Sequence, residues 1–310
     1  MATATHDEQL SWERRFGPYA AAAAFGAVVL HFVAVVAQIP ILRDAPSTSE
    51  NRRYRDYLLS VHDHGGNYLA SQLLVAFASA LAAGALLYLF HATRHRRAEL
   101  PAFLRYLLLA APLFMAVAAI VTQLNAQDLA DKFVGSASQT NAHAKDLVKD
   151  NQSAVGGGLG LAGGLALALS FVLIGLNAMR AGLLSRFMGV LAIIVGVLMV
   201  LPLLPSPIPV VQVFWLVAIG FLFLNRWPSG RGPAWETGVA EPWPTPQQRA
   251  GLTRPGASQQ GASEAPGRPG SEAPGQPGSE APGEPDSAAP EPKHPRSPRS
   301  SRKRKKKRRR

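Results

Sequence analysis

Five polar side chains interrupt otherwise uncharged apolar runs: His31, Gln38, Gln72, Gln123 and Gln212. An imidazole at depth can relay a proton or ligate haem, and a carboxamide can line a polar path or bond a neighbouring helix. His31 precedes Gln38 by seven residues, which places the two on nearly the same helix face. Haem held between helices needs a second histidine at matching depth. His91 is the other candidate, and it stands at the end of its run, so no cofactor is expected. Gln38, Gln72, Gln123 and Gln212 each lie near the same end of their runs. They read either as helix–helix glue, at about 0.6–2 kcal/mol each, or as the lining of an outward-facing polar vestibule. None of the five is a permanent charge. The lack of Asp, Glu, Lys or Arg deep in any run argues against an ion-coupled pump.

A second set lies between the runs. "HDHGG" supplies His62, Asp63 and His64, and a later segment supplies Asp128, Asp131, His143, Asp146 and Asp150. Imidazoles and carboxylates are zinc ligands, but no third fixed ligand is apparent and HExxH is absent, so no metal is expected and both stretches read as solvated loops. Nucleophilic catalysis finds no GxSxG elbow. "GGGLGLAGG" lacks the Lys and Ser/Thr that a phosphate-cradling loop needs. The absence of cysteine excludes disulfides and thiolate chemistry. An enzyme is therefore not the expectation.

Small residues form a third pattern. Gly156, Gly160, Gly164 and Ala168 recur every fourth residue, as do Ala76, Ala80 and Gly84. Such a stripe lets another backbone approach closely, either within the monomer or across a homodimer through the fourth apolar run.

The elements that carry these residues are apolar runs. Tyr19–Leu42 is 24 residues without a charge, and roughly 20 suffice for a helix to cross a bilayer. Its length and its flank of Glu13, Arg14 and Arg15 read as an uncleaved span rather than a signal peptide. Further runs cover about 67–91, 103–125 (with Pro112 as an expected kink), 154–179, 187–204 and 208–225, the last two joined by "PSP". Without water to satisfy backbone groups, all six should be helices. The expected fold is all-α: a polytopic membrane protein with six transmembrane helices and a disordered C-terminal tail.

Charge is confined to one place. Of 32 basic residues, twelve lie from Lys293 onward with no acid, leaving 20 against the 20 acidic residues of the rest. The pI of about 10.5 thus reports a tail, not a basic body. Arg302, Lys303, Arg304, Lys305, Lys306, Lys307, Arg308, Arg309 and Arg310 end the chain. Such a cluster attracts anionic lipid headgroups at about 1 kcal/mol per residue near a membrane surface. With no aromatic residues interleaved for base stacking, no specific nucleic-acid partner is expected. Arg94, Arg96, Arg97, Arg180 and Arg186 would join the tail on the cytoplasmic side, with both termini inside, as in a bacterial inner membrane. Arg43, Arg52, Arg53 and Arg55 on the opposite side weaken that bias.

The chain then divides into an N-terminal segment (1–17), the membrane domain (18–226), a Trp/Pro-rich juxtamembrane segment (227–245), a Pro/Gly/Ser/Glu linker (246–292) and the basic tail (293–310). Trp227, Trp235 and Trp243 stand eight apart, as interfacial anchors would. The linker repeats "SEAPGRPG", "SEAPGQPG" and "SEAPGEPD" and has almost nothing to bury.

"LNAMRAGLLSRFMGVLAIIVGVLMVLPLLP" (176–205) and "VVQVFWLVAIGFLFLNRWPSGRGPAWETGVAEPWP" (210–244) resemble a family of uncharacterised multi-spanning membrane proteins of high-GC bacteria. The resemblance covers roughly 19–245. It implies a six-helix membrane domain closed by a helical hairpin, and it carries no substrate, cofactor or catalytic residue. The expected role is that of a non-enzymatic structural or interaction protein in the lipid bilayer. A passive carrier or channel-like bundle is the alternative.

Overall fold

A computed structural model describes residues 6–43, 49, 51–151, 153–200, 209–228 and 230–243. The "PSP" turn, the repeats and the basic tail, Arg302 to Arg310 included, lie outside the described residues. All the regular secondary structure described is helical: α1 His6–Ala37, α2 Ile39–Arg43, α3 Arg53–Arg96, α4 Leu104–Val134, α5 Asn141–Asp150, α6 Ala154–Arg180, α7 Arg186–Val200, α8 Val210–Phe223 and α9 Ala234–Thr237.

Four stretches are long and apolar enough to cross a membrane: His6–Ile41, Arg53–Arg96, Leu104–Val134 and Ala154–Arg180. The chain is thus built as membrane proteins are. The described parts of α7 and α8 have 15 and 14 residues, or about 21–23 Å at 1.5 Å per residue, against a hydrocarbon core of about 30 Å.

The helices form a closed ring. α1 packs on α3, α3 on α4, α4 on α6, α6 on α7, α7 on α8, and α8 returns to α1. α3 also touches α6 across the ring, so the centre is filled. Leu86, Leu89, Leu108, Leu167, Phe171 and Trp215 form the middle of this core and are nearly inaccessible.

Small residues set the spacing. The α1 face against the bundle is Ala20, Ala21, Ala24 and Ala27, at the intervals of a helix face, and so admits a close neighbour. Between α6 and α7 a Cβ on Gly175 would stand 2.6 Å from the Ala192 Cβ, and one on Gly196 would stand 2.6 Å from the Ala168 carbonyl oxygen.

Two expectations about the connecting segments are corrected. Residues 53–66, 126–134 and 141–150 are packed helices, not solvated loops. α3 begins at Arg53 and α4 continues to Val134. Leu58 and Val61 of α3, Ala126, Leu129, Ala130 and Phe133 of α4, and Ala144 of α5 make a second core beyond the long apolar runs. Asn141, at the start of α5, accepts from the backbone amides of Tyr54 (3.0 Å) and Arg55 (3.2 Å). It thereby satisfies N–H groups that the first turn of α3 leaves without intrahelical partners. α3 bends at His64, whose φ of −123° and ψ of 22° are non-helical. Gly65 and Gly66 follow directly, and adjacent glycines are a common cause of such a kink. α4, by contrast, runs unbroken through Pro112.

Candidate functional site

The polar residues of the runs do not act alike. His31 is buried and donates from Nδ1 to the Ala27 carbonyl at 2.9 Å, a bond within its own helix. Gln123 is buried and its Nε2 donates to the Gly65 carbonyl at 3.2 Å. The kink at His64 disturbs the helical ladder there, and the α4 amide takes up a carbonyl beside the break. Gln212 is buried in α8. Gln72 is exposed on α3, and Gln38 is half-buried at the turn between α1 and α2. Among the described residues, no one of these four amides hydrogen-bonds another.

The small-residue stripe of α6 divides between neighbours. Gly156 faces Thr122 of α4, and a Cβ on Gly160 would meet the Ala118 Cβ of α4 at 3.6 Å. Gly164 has open space, while Gly163 is the residue against α4: a Cβ there would stand 2.8 Å from the Ala111 carbonyl oxygen and 2.9 Å from Met115 Cγ. Ala168 turns to α7 through its carbonyl beside Gly196. The four positions therefore face α4, open space and α7 in succession.

The two polar segments between the apolar runs do meet. His62 Nδ1 lies 3.0 Å from Asp131 Oδ1, with both side chains substantially exposed. His143 stacks on Phe133 at 6.2 Å. Among the described residues, no three His, Cys, Asp or Glu side chains gather as metal ligands.

The most constructed polar site stands at the other end of the bundle, and the sequence reading did not find it. Glu13 of α1 and Arg96 of α3 form a two-pronged ion pair, with Nη1 to Oε1 at 2.5 Å and Nη2 to Oε2 at 3.0 Å. The side chains are 2% and 0% exposed. Arg96 also donates from Nε (2.9 Å) and Nη2 (2.6 Å) to the Ala234 carbonyl, and from Nη1 to the Ala92 carbonyl at 2.9 Å. Every face of this buried guanidinium is thus matched, as burial of a charge requires.

The segment that follows α8 is folded onto this pair. Trp235 is buried, and its indole Nε1 donates to the Leu183 carbonyl at 2.9 Å. The Arg96 and Arg231 guanidiniums lie 5.7 and 5.2 Å from its ring. Tyr88 stacks on Trp235 at 6.1 Å and on Trp12 at 5.4 Å, and its hydroxyl donates to the Glu13 carbonyl at 2.9 Å. Arg231 donates from Nε to the Leu222 carbonyl at 3.0 Å and from Nη2 to the Phe223 carbonyl. These two acceptors belong to the last turn of α8, where carbonyls lack intrahelical donors and a cation is favoured. Burial pushes the Arg231 guanidinium below its ordinary value, against the opposing pull of Tyr88 and Glu13.

Backbone closeness completes the dock. Gly182 ends the α6 turn with φ of 75°, and Leu183 N donates back to the Ala178 carbonyl at 2.9 Å, a left-handed helix end suited to glycine. The Glu241 carbonyl lies where a Cβ on Gly182 would stand, and a Cβ on Gly232 would come within 2.5 Å of the Gly182 carbonyl oxygen and strike Trp243. His95 sits beside this cluster, edge-on to His6 at 5.7 Å, with Nε2 buried and unpaired. Burial first, then the neighbouring Arg96 and His6, hold its pKa below the ordinary histidine value, with Glu13 opposing.

The arrangement offers no nucleophile beside a base. Its chemistry is that of a clamp: residues 13, 96 and 231–235 are tied by charge, indole and carbonyl contacts. The chain matches no family model, no curated protein and no solved structure.

Proposed function

We propose that this is a bacterial inner-membrane protein, related to the uncharacterised family that residues 176–244 resemble. In this reading α1, α3, α4, α6, α7 and α8 all cross the bilayer, and the Glu13–Arg96 end faces the cytoplasm. The carrying observation is the closed ring: α7 lies between α6 and α8, and α8 between α7 and α1. The two shorter helices are therefore held among four that are long enough to span. Their outward residues, including Val190, Ile194, Val197, Phe214 and Phe221, are exposed and apolar, as a lipid-facing surface must be. Arg14, Arg94, Arg97, Arg180, Arg186 and Arg226 all belong to segments at the clamp end, which supports the cytoplasmic assignment.

Its role in this reading is non-enzymatic. The bundle is an anchor that presents a clamped juxtamembrane segment, and beyond it a linker and basic tail that contact anionic lipid. The vestibule alternative draws less support, since Gln123 is engaged with Gly65 and Gln72 is exposed.

The cysteine-free sequence makes the test direct. Single variants Ser136→Cys, Ser185→Cys and Ser301→Cys are labelled with a membrane-impermeant maleimide in intact and permeabilised cells. Ser136→Cys reacts in intact cells, and the other two react only after permeabilisation. Labelling of Ser185→Cys from outside would overturn the assignment. For the tail, flotation with anionic vesicles compares the full chain with one lacking 293–310, and equal salt-sensitive binding by both would remove the lipid role.

A further inference from the structure

α3 and α4 leave a groove of about 260 Å³ on their outer side, lined by apolar residues that include Ala76, Phe77, Ala80, Leu109, Leu113 and Ala116. On α3 the face that lines it continues toward the clamp end. At 100° per residue, Leu87, His91 and Arg94 fall within about 40° of Ala80. On α4 Arg105 lies one turn, about 6 Å, before Leu109. The two apolar walls thus both run into arginine at the same end.

Those arginines are uncommitted to acids. Among the described residues neither Arg94 nor Arg105 makes an ion pair, and the nearby Glu99 carboxylate is taken by Arg97 at 2.7 Å. Each guanidinium rests on an aromatic ring of its own helix: Arg94 on Phe90 at 5.9 Å, and Arg105 on Tyr106 at 4.5 Å, with a hydrogen bond to its hydroxyl. Both lie within Coulombic range of the His91 ring, so the two guanidiniums flank one histidine at this end of the groove. Tyr106 and Phe103 are more than half-exposed or nearly so beside it, where aromatic residues mark the headgroup level of a bilayer.

We propose that the α3–α4 groove binds one anionic phospholipid, with an acyl chain against the Ala76–Leu113 walls and the phosphate on Arg94 and Arg105. Two guanidiniums present planar donors suited to phosphate oxygens. A headgroup carrying its own ammonium brings a cation against them, so the site favours a headgroup of net negative charge. This rests on the membrane placement proposed above and adds a lipid site on the bundle, separate from the tail.

The full-length protein is placed in phosphatidylcholine vesicles containing a trace of phosphatidylglycerol with a photoactivatable acyl chain, and labelled peptides are identified by mass spectrometry. Labelling is expected within 73–80 or 109–116. It falls about thirtyfold in the doubly substituted Arg94→Gln, Arg105→Gln protein, as losing two surface cations implies, while labelling near the tail is unchanged. Arg94→Lys with Arg105→Lys retains most of it, which separates loss of charge from loss of fold. Inorganic phosphate in excess leaves it intact. Equal labelling by a photoactivatable phosphatidylcholine, displacement by phosphate, or undiminished labelling of the Gln variant overturns the proposal while leaving the membrane placement standing. Absence of lipid labelling on every apolar helix would overturn both.

Discussion

Arg96 grips Glu13 across 83 positions of sequence, with its Nη1 2.5 Å and its Nη2 3.0 Å from the two carboxylate oxygens. The pair is out of solvent, so removing one member strands the other. Arg96→Ala is expected to cost about 3–5 kcal/mol, the usual penalty for an uncompensated buried charge. Glu13→Gln with Arg96→Met, which removes both charges and keeps volume, costs much less. Thermal unfolding in detergent reads the difference. Equal losses in the two proteins would show that the charges themselves contribute little.

Gly182 cannot carry a side chain while residues 226–243 stay docked, because the Glu241 carbonyl occupies the Cβ position. Gly182→Val should therefore release the segment without unwinding the bundle. Trypsin then cuts at Arg226 or Arg231 faster than in the parent, at unchanged helical circular dichroism.

The α6 glycines provide a matched pair. Gly163→Ala pushes a methyl against the Ala111 carbonyl and Met115, and is expected to destabilise by about 1–3 kcal/mol. Gly164→Ala meets nothing within 4 Å and is expected to be neutral or stabilising by up to about 1 kcal/mol. If the two substitutions shift the unfolding midpoint alike, the α4–α6 contact is not as described.

Acidification acts through His95. Its folded-state pKa lies below the ordinary value of about 6.5, so the unfolded chain binds this proton first. Stability is full above pH 6.5 and falls as pH drops below it toward the folded pKa. His95 adjoins Arg96, whose guanidinium lies over Trp235, so loosening of the dock is expected in tryptophan fluorescence below pH 6.5. His95→Gln should flatten that part of the profile, and an unchanged slope would assign it to another group.

Gln123→Leu tests the kink. It removes the donor to the Gly65 carbonyl and should cost about 0.6–2 kcal/mol, within the range for interhelical bonds in membranes. Gln72→Leu, at an exposed position, should cost little. Reversed magnitudes in chemical unfolding would contradict the placement of the two amides.

Much of the membrane domain was legible because uncharged length is a strong signal. Asn67–His91 and Ala154–Met179 each fall inside a helix, and Phe103–Asn125 begins one residue before α4. The second core, in stretches read as solvated loops, left a weaker sign. Tyr54, Tyr57, Leu58 and Val61 recur at i, i+3, i+4 and i+7, as do Ala126, Leu129, Ala130 and Phe133, which is the period of a helix face. The intervening charges obscured both. The clamp was not legible by either rule. Glu13 and Arg96 look like flanking charges until the fold sets them together, and Trp235 in a Pro/Gly-rich stretch looks like an interfacial anchor. Its partners are Leu183, Tyr88 and Arg96 of α3, and Arg231 of its own segment, a conjunction that no local window contains.

The Ala234 carbonyl has a consequence for how the molecule comes to be made. Arg96 receives it only after every apolar helix has left the ribosome. Until then the first two long helices hold a guanidinium with two of its donors waiting. Closure of that end therefore waits until residue 234 has been made, and it distinguishes a chain that has reached that residue from one cut short before it.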